Sequence, residues 1–168
     1  DLAFSPNKSK LLATASMDKT VRMWDVVCGA VVATLHGHTH YVNGVAFSPN
    51  GNFLATASDD HTARLWEVSG GAQAVALEGH TDVVKAVAFS PDGTSVATVS
   101  GDNTARTWDV ASETRAVKQE GHTYHVEAVV FSPDGKLLAT ASGDKTACVW
   151  DVASGAVRAR MEGHTKGT

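Results

Sequence analysis

The chain has 168 residues, 43% of them hydrophobic and 19% charged, with a formal net charge of −4. An acidic balance gives no basic footprint, so nucleic acid is excluded as the expected main partner. The apolar share, punctuated by 15 glycines, argues against a disordered chain, and no apolar run of about 18 residues suggests a membrane span.

No N-terminal signal peptide is visible, and a cytoplasmic setting is expected. The first residue, Asp1, falls inside a repeated pattern, which reads as a segment of something longer. That pattern dominates the chain. Trp24, Trp66, Trp108 and Trp150 stand 42 residues apart, and four such periods span the whole length. The only prolines, Pro6, Pro49, Pro91 and Pro133, each follow Phe-Ser, and Gly-His recurs at 37–38, 79–80, 121–122 and 163–164. A period of this size marks a repeat architecture.

In chain order the units span 1–36, 37–78, 79–120 and 121–162, and residues 163–168 begin another. The first hairpin, Pro6-Asn7-Lys8-Ser9, is one residue longer than its counterparts and lacks glycine. The third unit illustrates the elements. Val84–Phe89 is rich in small and β-branched residues, and Pro91-Asp92-Gly93 turns the chain because glycine accepts the positive φ of tight hairpins. Val96–Ser100 is a second short strand, Gly101-Asp102-Asn103 a turn, Thr104–Val110 a third strand, Ala111-Ser112-Glu113 a turn, and Ala116–Lys118 the start of a fourth. Short strands separated by turn signals predict an all-β domain. Each unit can form one small antiparallel sheet with two apolar faces, so neighbouring units must stack face to face, as four-stranded sheets do around a propeller.

Cys28 lies in a turn before Gly29 and Cys148 two residues before Trp150, where the other units carry Arg22, Arg64 and Arg106. These are different parts of their units, so two free thiols are expected rather than a disulfide, in keeping with a reducing compartment.

The spacing of Gly-His, Phe-Ser-Pro-Asp-Gly, Ser-x-Asp-x-Thr and Trp-Asp, repeated along the whole chain, resembles the WD-repeat β-propellers, in their regular bacterial form. The resemblance implies four-stranded blades, four of them in this chain, and a structural tetrad in each. The tetrads would be His38, Thr56, Asp60 and Trp66; His80, Thr98, Asp102 and Trp108; His122, Thr140, Asp144 and Trp150. Ser58, Ser100 and Ser142 are alternative hydroxyls on the same strand face. A buried indole N–H and imidazole need partners, and a satisfied network rigidifies its surroundings. Glu67 replaces the aspartate after Trp66, a mild departure. The first unit has Thr14, Asp18 and Trp24 but no preceding histidine, whereas His164 has no Thr, Asp or Trp after it. Joined end to start, 163–168 and 1–4 read like the opening of a unit, one residue short. Two chains closing head to tail into an eight-bladed ring, with His164 of each completing the other's tetrad, is therefore one expectation. A piece of a longer propeller and a four-bladed ring are the alternatives.

His, Thr or Ser, and Asp together invite comparison with a hydrolase triad. A catalytic site occurs once, in a cleft, with an oxyanion hole, whereas this trio recurs with a tryptophan attached. No enzyme is expected. His36, His38 and His40 alternate as a metal clip might, but His38 belongs to the tetrad and no further ligands complete a tetrahedral site. Asp59-Asp60-His61 lacks calcium-loop spacing, and no phosphate-cradling glycine loop with lysine occurs. No cofactor or metal is expected.

The resemblance implies that partners dock on the narrow face around the central channel, at positions three and five after the histidine and one before the turn aspartate. These fall on Tyr41 and Asn43, Val83 and Lys85, His125 and Glu127, and on Met17, Asp59, Gly101 and Gly143. Tyr41 and Met17 are the anchor candidates. The expected function is a non-catalytic protein-interaction scaffold within a larger regulatory protein, binding a protein or peptide. The alternative is a self-assembling module whose main partner is another copy of itself.

Overall fold

The computed structural model describes residues 1–6, 10–69, 73–112 and 116–167. Part of the first hairpin (Asn7, Lys8, Ser9), Glu113 of the third turn and Thr168 lie outside the described residues. Alternation of small apolar and hydroxyl residues between glycine- and aspartate-bearing turns yields sixteen strands and, among the described residues, no helix. The first sheet comprises β1 (Leu2–Phe4), β2 (Leu11–Ala15), β3 (Val21–Asp25) and β4 (Val31–Leu35). The second holds β5 (Val42–Phe47), β6 (Phe53–Ser58), β7 (Ala63–Glu67) and β8 (Gln73–Leu77). The third holds β9 (Val84–Phe89), β10 (Ser95–Ser100), β11 (Thr104–Asp109) and β12 (Ala116–Glu120). The fourth holds β13 (Val126–Phe131), β14 (Leu137–Ser142), β15 (Ala147–Asp151) and β16 (Val157–Met161). Each sheet is an antiparallel meander with its strands in sequence order.

In the third sheet the structure moves two predicted edges. Val110 leaves the strand because its N–H donates to the Thr94 carbonyl across the adjacent turn. At the start of β10 Ser95 joins the strand, paired with Asp109.

The sheets stack in series through their first strands, β1 on β5, β5 on β9 and β9 on β13. Three apolar layers result. Ala13, Val21, Met23 and Leu35 of the first blade meet Val45, Leu54 and Trp66 of the second. Ala55, Leu65 and Leu77 meet Val96 and Trp108. Ala97, Val99 and Ala105 meet Phe131, Leu138 and Trp150. Every blade thus has a backward face, carrying its tryptophan, and a forward face, carrying the alanine beside its threonine and a residue of its last strand. The same positions differ at the ends. Leu54, Val96 and Leu138 are buried but Leu12 is half-buried; Leu35, Leu77 and Gln119 are buried but Met161 is exposed. Phe4 on the backward face of the first blade is 66% exposed, and Val130 on the forward face of the fourth is 60% exposed. The four blades form an open series rather than a closed four-bladed ring.

Candidate functional site

Within each of the second, third and fourth blades one hydroxyl organises the hydrogen bonds. Thr56 lies on β6 opposite Arg64 and faces back toward the first blade with Trp66. The indole Nε1–H of Trp66 donates to Thr56 Oγ1 at 3.0 Å, and His38 Nε2 lies 2.7 Å from the same oxygen. His38 Nδ1 lies 2.7 Å from Asp60 Oδ2. The third blade repeats this with Trp108 to Thr98 at 2.9 Å, His80 to Thr98 at 2.8 Å and His80 to Asp102 at 2.8 Å. In the fourth, Trp150 to Thr140 and His122 to Thr140 are both 2.8 Å, and His122 to Asp144 is 2.9 Å. Ser58, Ser100 and Ser142 are not the tetrad hydroxyls. Their oxygens accept the N–H of the turn aspartate and reach carbonyls of the preceding loop, holding that loop in place.

The carboxylates are the charged ends of these chains. Asp60 Oδ1 accepts the N–H and O–H of Thr62 at 3.0 and 2.6 Å, and Oδ2 also accepts the Thr39 N–H at 3.0 Å. Burial alone would raise its pKa; the donors from Thr62, His38 and Thr39 outweigh it and hold the carboxyl at about 2. Asp102 is likewise at about 2, burial being overcome by Thr104, His80 and Thr81. Burial pushes His38 and His80 below the ordinary histidine value, against the pull of Asp60 and Asp102. A neutral imidazole beside an ionised carboxylate fixes the proton order: the indole donates to threonine, threonine O–H to Nε2, and Nδ1–H to aspartate. Every polar atom of the imidazole is engaged, and the threonine is no free nucleophile.

The first blade holds half of this arrangement. Trp24 Nε1 donates to Thr14 Oγ1 at 2.9 Å, and Asp18 Oδ1 accepts both donors of Thr20. Trp24 is half-buried and Asp18 exposed, with Arg22 at 3.7 Å from its Oδ2. His164 lies exposed beyond β16.

The rim at the starts of β5, β9 and β13 is built by bulges. In β5, β9 and β13 the ladder skips one residue, and the skipped residues are Asn43, Lys85 and Glu127. A bulge re-aims a side chain, and here it turns each toward a neighbouring blade. Asn43 Nδ2 donates to Asp59 Oδ1 at 2.6 Å and to the Val84 carbonyl at 2.9 Å, and Lys85 Nζ stands 3.4 Å from Glu127 Oε2. His125 Nδ1 pairs with the Gly101 carbonyl at 2.8 Å. The turn positions join the same surface, because the N–H groups of Asp59, Gly101 and Gly143 donate to the carbonyls of Tyr41, Val83 and His125. On it Met17 is 76% exposed and Tyr41 42%, the latter tilted over His40 at 4.6 Å, while Val83 is half-buried.

Tyr124, 54% exposed, was missed by the spacing argument because it stands two residues after its histidine, not three. Its ring lies over Gly143, where a Cβ would come within 2.6 Å of it. The two adjacent aromatic pairs in the unit openings, His40-Tyr41 and Tyr124-His125, are the signal that could have found it. Cys28 is exposed and Cys148 buried, both as free thiols. Among the described residues no group of three or more His, Cys, Asp or Glu side chains is placed to hold a metal ion. His40 instead sits 3.4 Å from Asp59.

Residues 1–165 match the family model described as the IFT122 first beta-propeller. Nuclear distribution protein PAC1 of Mycosarcoma maydis is 45% identical over 58 residues, covering 29% of this chain and 13% of its own length. WD40 repeat-containing protein HOS15 of Arabidopsis thaliana is 45% identical over 49 residues, covering 29% of this chain and 8% of its own length. F-box-like/WD repeat-containing protein TBL1Y of Homo sapiens is 51% identical over 49 residues, covering 29% of this chain and 9% of its own length. The chain thus spans about a tenth of the length of these relatives. With four four-stranded antiparallel blades and a family match along nearly the whole sequence, this chain belongs to the WD-repeat β-propeller family.

Proposed function

We propose that the chain is a non-catalytic protein-interaction scaffold, a segment of a larger regulatory protein, and that a protein or peptide docks on its channel-side rim. The observation that carries this reading is the division of labour among side chains. The repeat-invariant histidines, threonines and aspartates are consumed within the blades, whereas the positions that vary between blades reach one surface through the bulges at Asn43, Lys85 and Glu127. Met17, Tyr41 and Tyr124 supply exposed apolar area there, and such side chains dominate contact energy. Peptide-display selection against the chain tests it. An enriched peptide should bind about ten-fold more weakly to Tyr41→Ala or Met17→Ala, the loss of one anchor. A selection that enriches nothing, or a peptide indifferent to every rim substitution, overturns it.

A second reading is favoured by a different observation, the open apolar faces at both ends of the series around Phe4 and Val130. A self-assembling module that pairs with another copy of itself, closing an eight-bladed ring, would cover both. Its solution mass would be about 35 kDa, twice the 17.5 kDa of the chain.

A further inference from the structure

We propose that Asn50-Gly51, at the tip of the hairpin between β5 and β6, is a self-modification site. Asn50 loses ammonia and becomes aspartate when that hairpin opens, and the aspartate then closes the hairpin more firmly than asparagine did.

Asparagine followed by glycine is prone to this reaction because glycine has no Cβ to shield its backbone nitrogen. The Gly51 nitrogen attacks Asn50 Cγ, the Cγ–Nδ2 bond breaks, and ammonia leaves with the proton of the attacking nitrogen. A five-membered succinimide results. Water then adds at Cγ and breaks its new bond to the Gly51 nitrogen, which restores the ordinary peptide link and leaves a carboxylate on the side chain. One water is consumed and one ammonia released, with no change of oxidation state. Addition of water at the Asn50 backbone carbonyl instead gives isoaspartate, with an extra carbon in the main chain.

The closed hairpin holds both reacting groups. The Gly51 N–H donates to the Ser48 carbonyl at 2.8 Å, so the attacking nitrogen is committed. Asn50 Oδ1 accepts the Ser48 O–H at 2.7 Å and the Asn52 N–H at 3.0 Å, which pins the carboxamide. Ring closure requires these bonds to be released. Asn50 and Asn52 are exposed at the tip, so a local opening suffices.

The product has a place ready. The third and fourth blades carry aspartate at this position. Asp92 Oδ1 accepts the Ser90 O–H at 2.6 Å and the Thr94 N–H at 3.0 Å; Asp134 Oδ1 accepts the Ser132 O–H at 2.6 Å and the Lys136 N–H at 3.1 Å. The glycines that follow, Gly51, Gly93 and Gly135, share φ of 71°, 74° and 72°. The three hairpins match donor for donor, and a carboxylate accepts such bonds more strongly than an amide oxygen. Ser90 and Ser132, first among these donors, hold Asp92 and Asp134 below the ordinary carboxylate value.

The chain carries its own control. Asn43-Gly44 is the same dipeptide, set inside β5. Gly44 is buried, and a Cβ there would lie 3.4 Å from Ala86 Cα of the next blade. Asn43 Nδ2 donates to Asp59 Oδ1 and to the Val84 carbonyl, so a carboxylate in its place would face two oxygens with no proton to offer. Conversion at Asn43 requires two blades to part, whereas conversion at Asn50 requires one hairpin to open.

Peptide mapping by mass spectrometry, after incubation of the intact chain at mildly alkaline pH, tests the proposal. Each asparagine is compared with its own rate in urea. In the folded chain Asn50 should convert about ten-fold or more slowly than in urea, and Asn43 should be slowed further still. Ser48→Ala should speed conversion at Asn50 in the folded chain and leave Asn43 protected. A folded rate at Asn50 equal to that in urea, or a Ser48→Ala chain in which both asparagines speed up alike, overturns the lock. Equal slowing of Asn43 and Asn50, or no conversion of Asn50 in the folded chain, overturns local opening. Asn50→Asp reports on the product: its urea midpoint at neutral pH should exceed that of the unsubstituted chain, and a midpoint unchanged or lowered overturns the firmer closure.

Discussion

Cys148 and Arg160 face each other across β15 and β16, and together they do what one arginine does in the preceding blades. Arg64 and Arg106 send a guanidinium from the third strand over Gly37 and Gly79. The fourth blade has buried Cys148 at that position, and Arg160, one strand outward, supplies the cation instead. Its Nη1 donates to the Gly121 carbonyl at 2.9 Å and its Nη2 stands 3.4 Å from Asp144. Arg160→Ala should therefore destabilise the chain by about 1 kcal/mol, the net worth of one such hydrogen bond at a partly exposed site. Adding Cys148→Arg should recover part of the loss. Urea unfolding of the two variants measures both effects.

The shared threonine is the costliest atom to remove. Thr98→Val keeps the shape but leaves the buried Trp108 N–H and His80 Nε2 without a partner, a loss of roughly 2–3 kcal/mol. Thr14→Val in the single chain should cost under about 1 kcal/mol, because Trp24 is half-buried and water can replace the hydroxyl. Urea midpoints that fall equally for the two would contradict this ordering.

Acid should unfold the chain in two stages. His38 and His80 have folded pKa values below 6.5, so the unfolded chain binds protons first and stability declines as pH falls below 6.5. Asp60 and Asp102 sit at about 2 against 3.8, so their contribution is present above 3.8 and is lost as pH falls toward 2. Both shifts make stability rise with pH across these windows. Urea midpoints taken from pH 7 to pH 2 should show a shallow decline followed by a steeper one, and a flat profile would refute the assignment of neutral imidazole to ionised carboxylate.

The layer between the third and fourth blades carries a removable defect. Gln119 is fully buried where the first two blades have Leu35 and Leu77; its Nε2 donates to Thr107 Oγ1 at 3.2 Å, and its Oε1 has no partner among the described residues. Gln119→Leu with Thr107→Leu restores the pairing seen between Leu65 and Leu77. The double variant should gain about 1–2 kcal/mol by relieving a buried unpaired acceptor. A thermal melt that shifts downward would show that the polar pair stabilises the layer.

Much of the fold was legible because its signals were local and recurred along the chain. Glycine and aspartate marked the turns, hydroxyl and small apolar residues alternated between them, and a period of 42 set the unit. The tetrad partners were legible at the level of residue type, since His80, Thr98, Asp102 and Trp108 recur at fixed offsets. The choice between Thr98 and Ser100 was not, because both point to one face and only the loop above them decides which meets the imidazole. Nor were the pairings across strands or blades. Arg160 answers Cys148 only once the register of β15 and β16 is known, and Lys85 meets Glu127 only because bulges in two blades turn each toward the other blade. Such contacts depend on how neighbouring units differ, and a repeat period conceals differences.

The tryptophan of every blade packs backward and its alanine row packs forward, and this gives the chain a direction. Two copies cannot meet tryptophan to tryptophan and reproduce any internal layer. Like a filament with unlike ends, the arrangement grows by the same joint whether the next unit arrives by tandem duplication or by association. A change in copy number therefore asks for no new interface chemistry, only for a final joint that brings the last forward face to the first backward one.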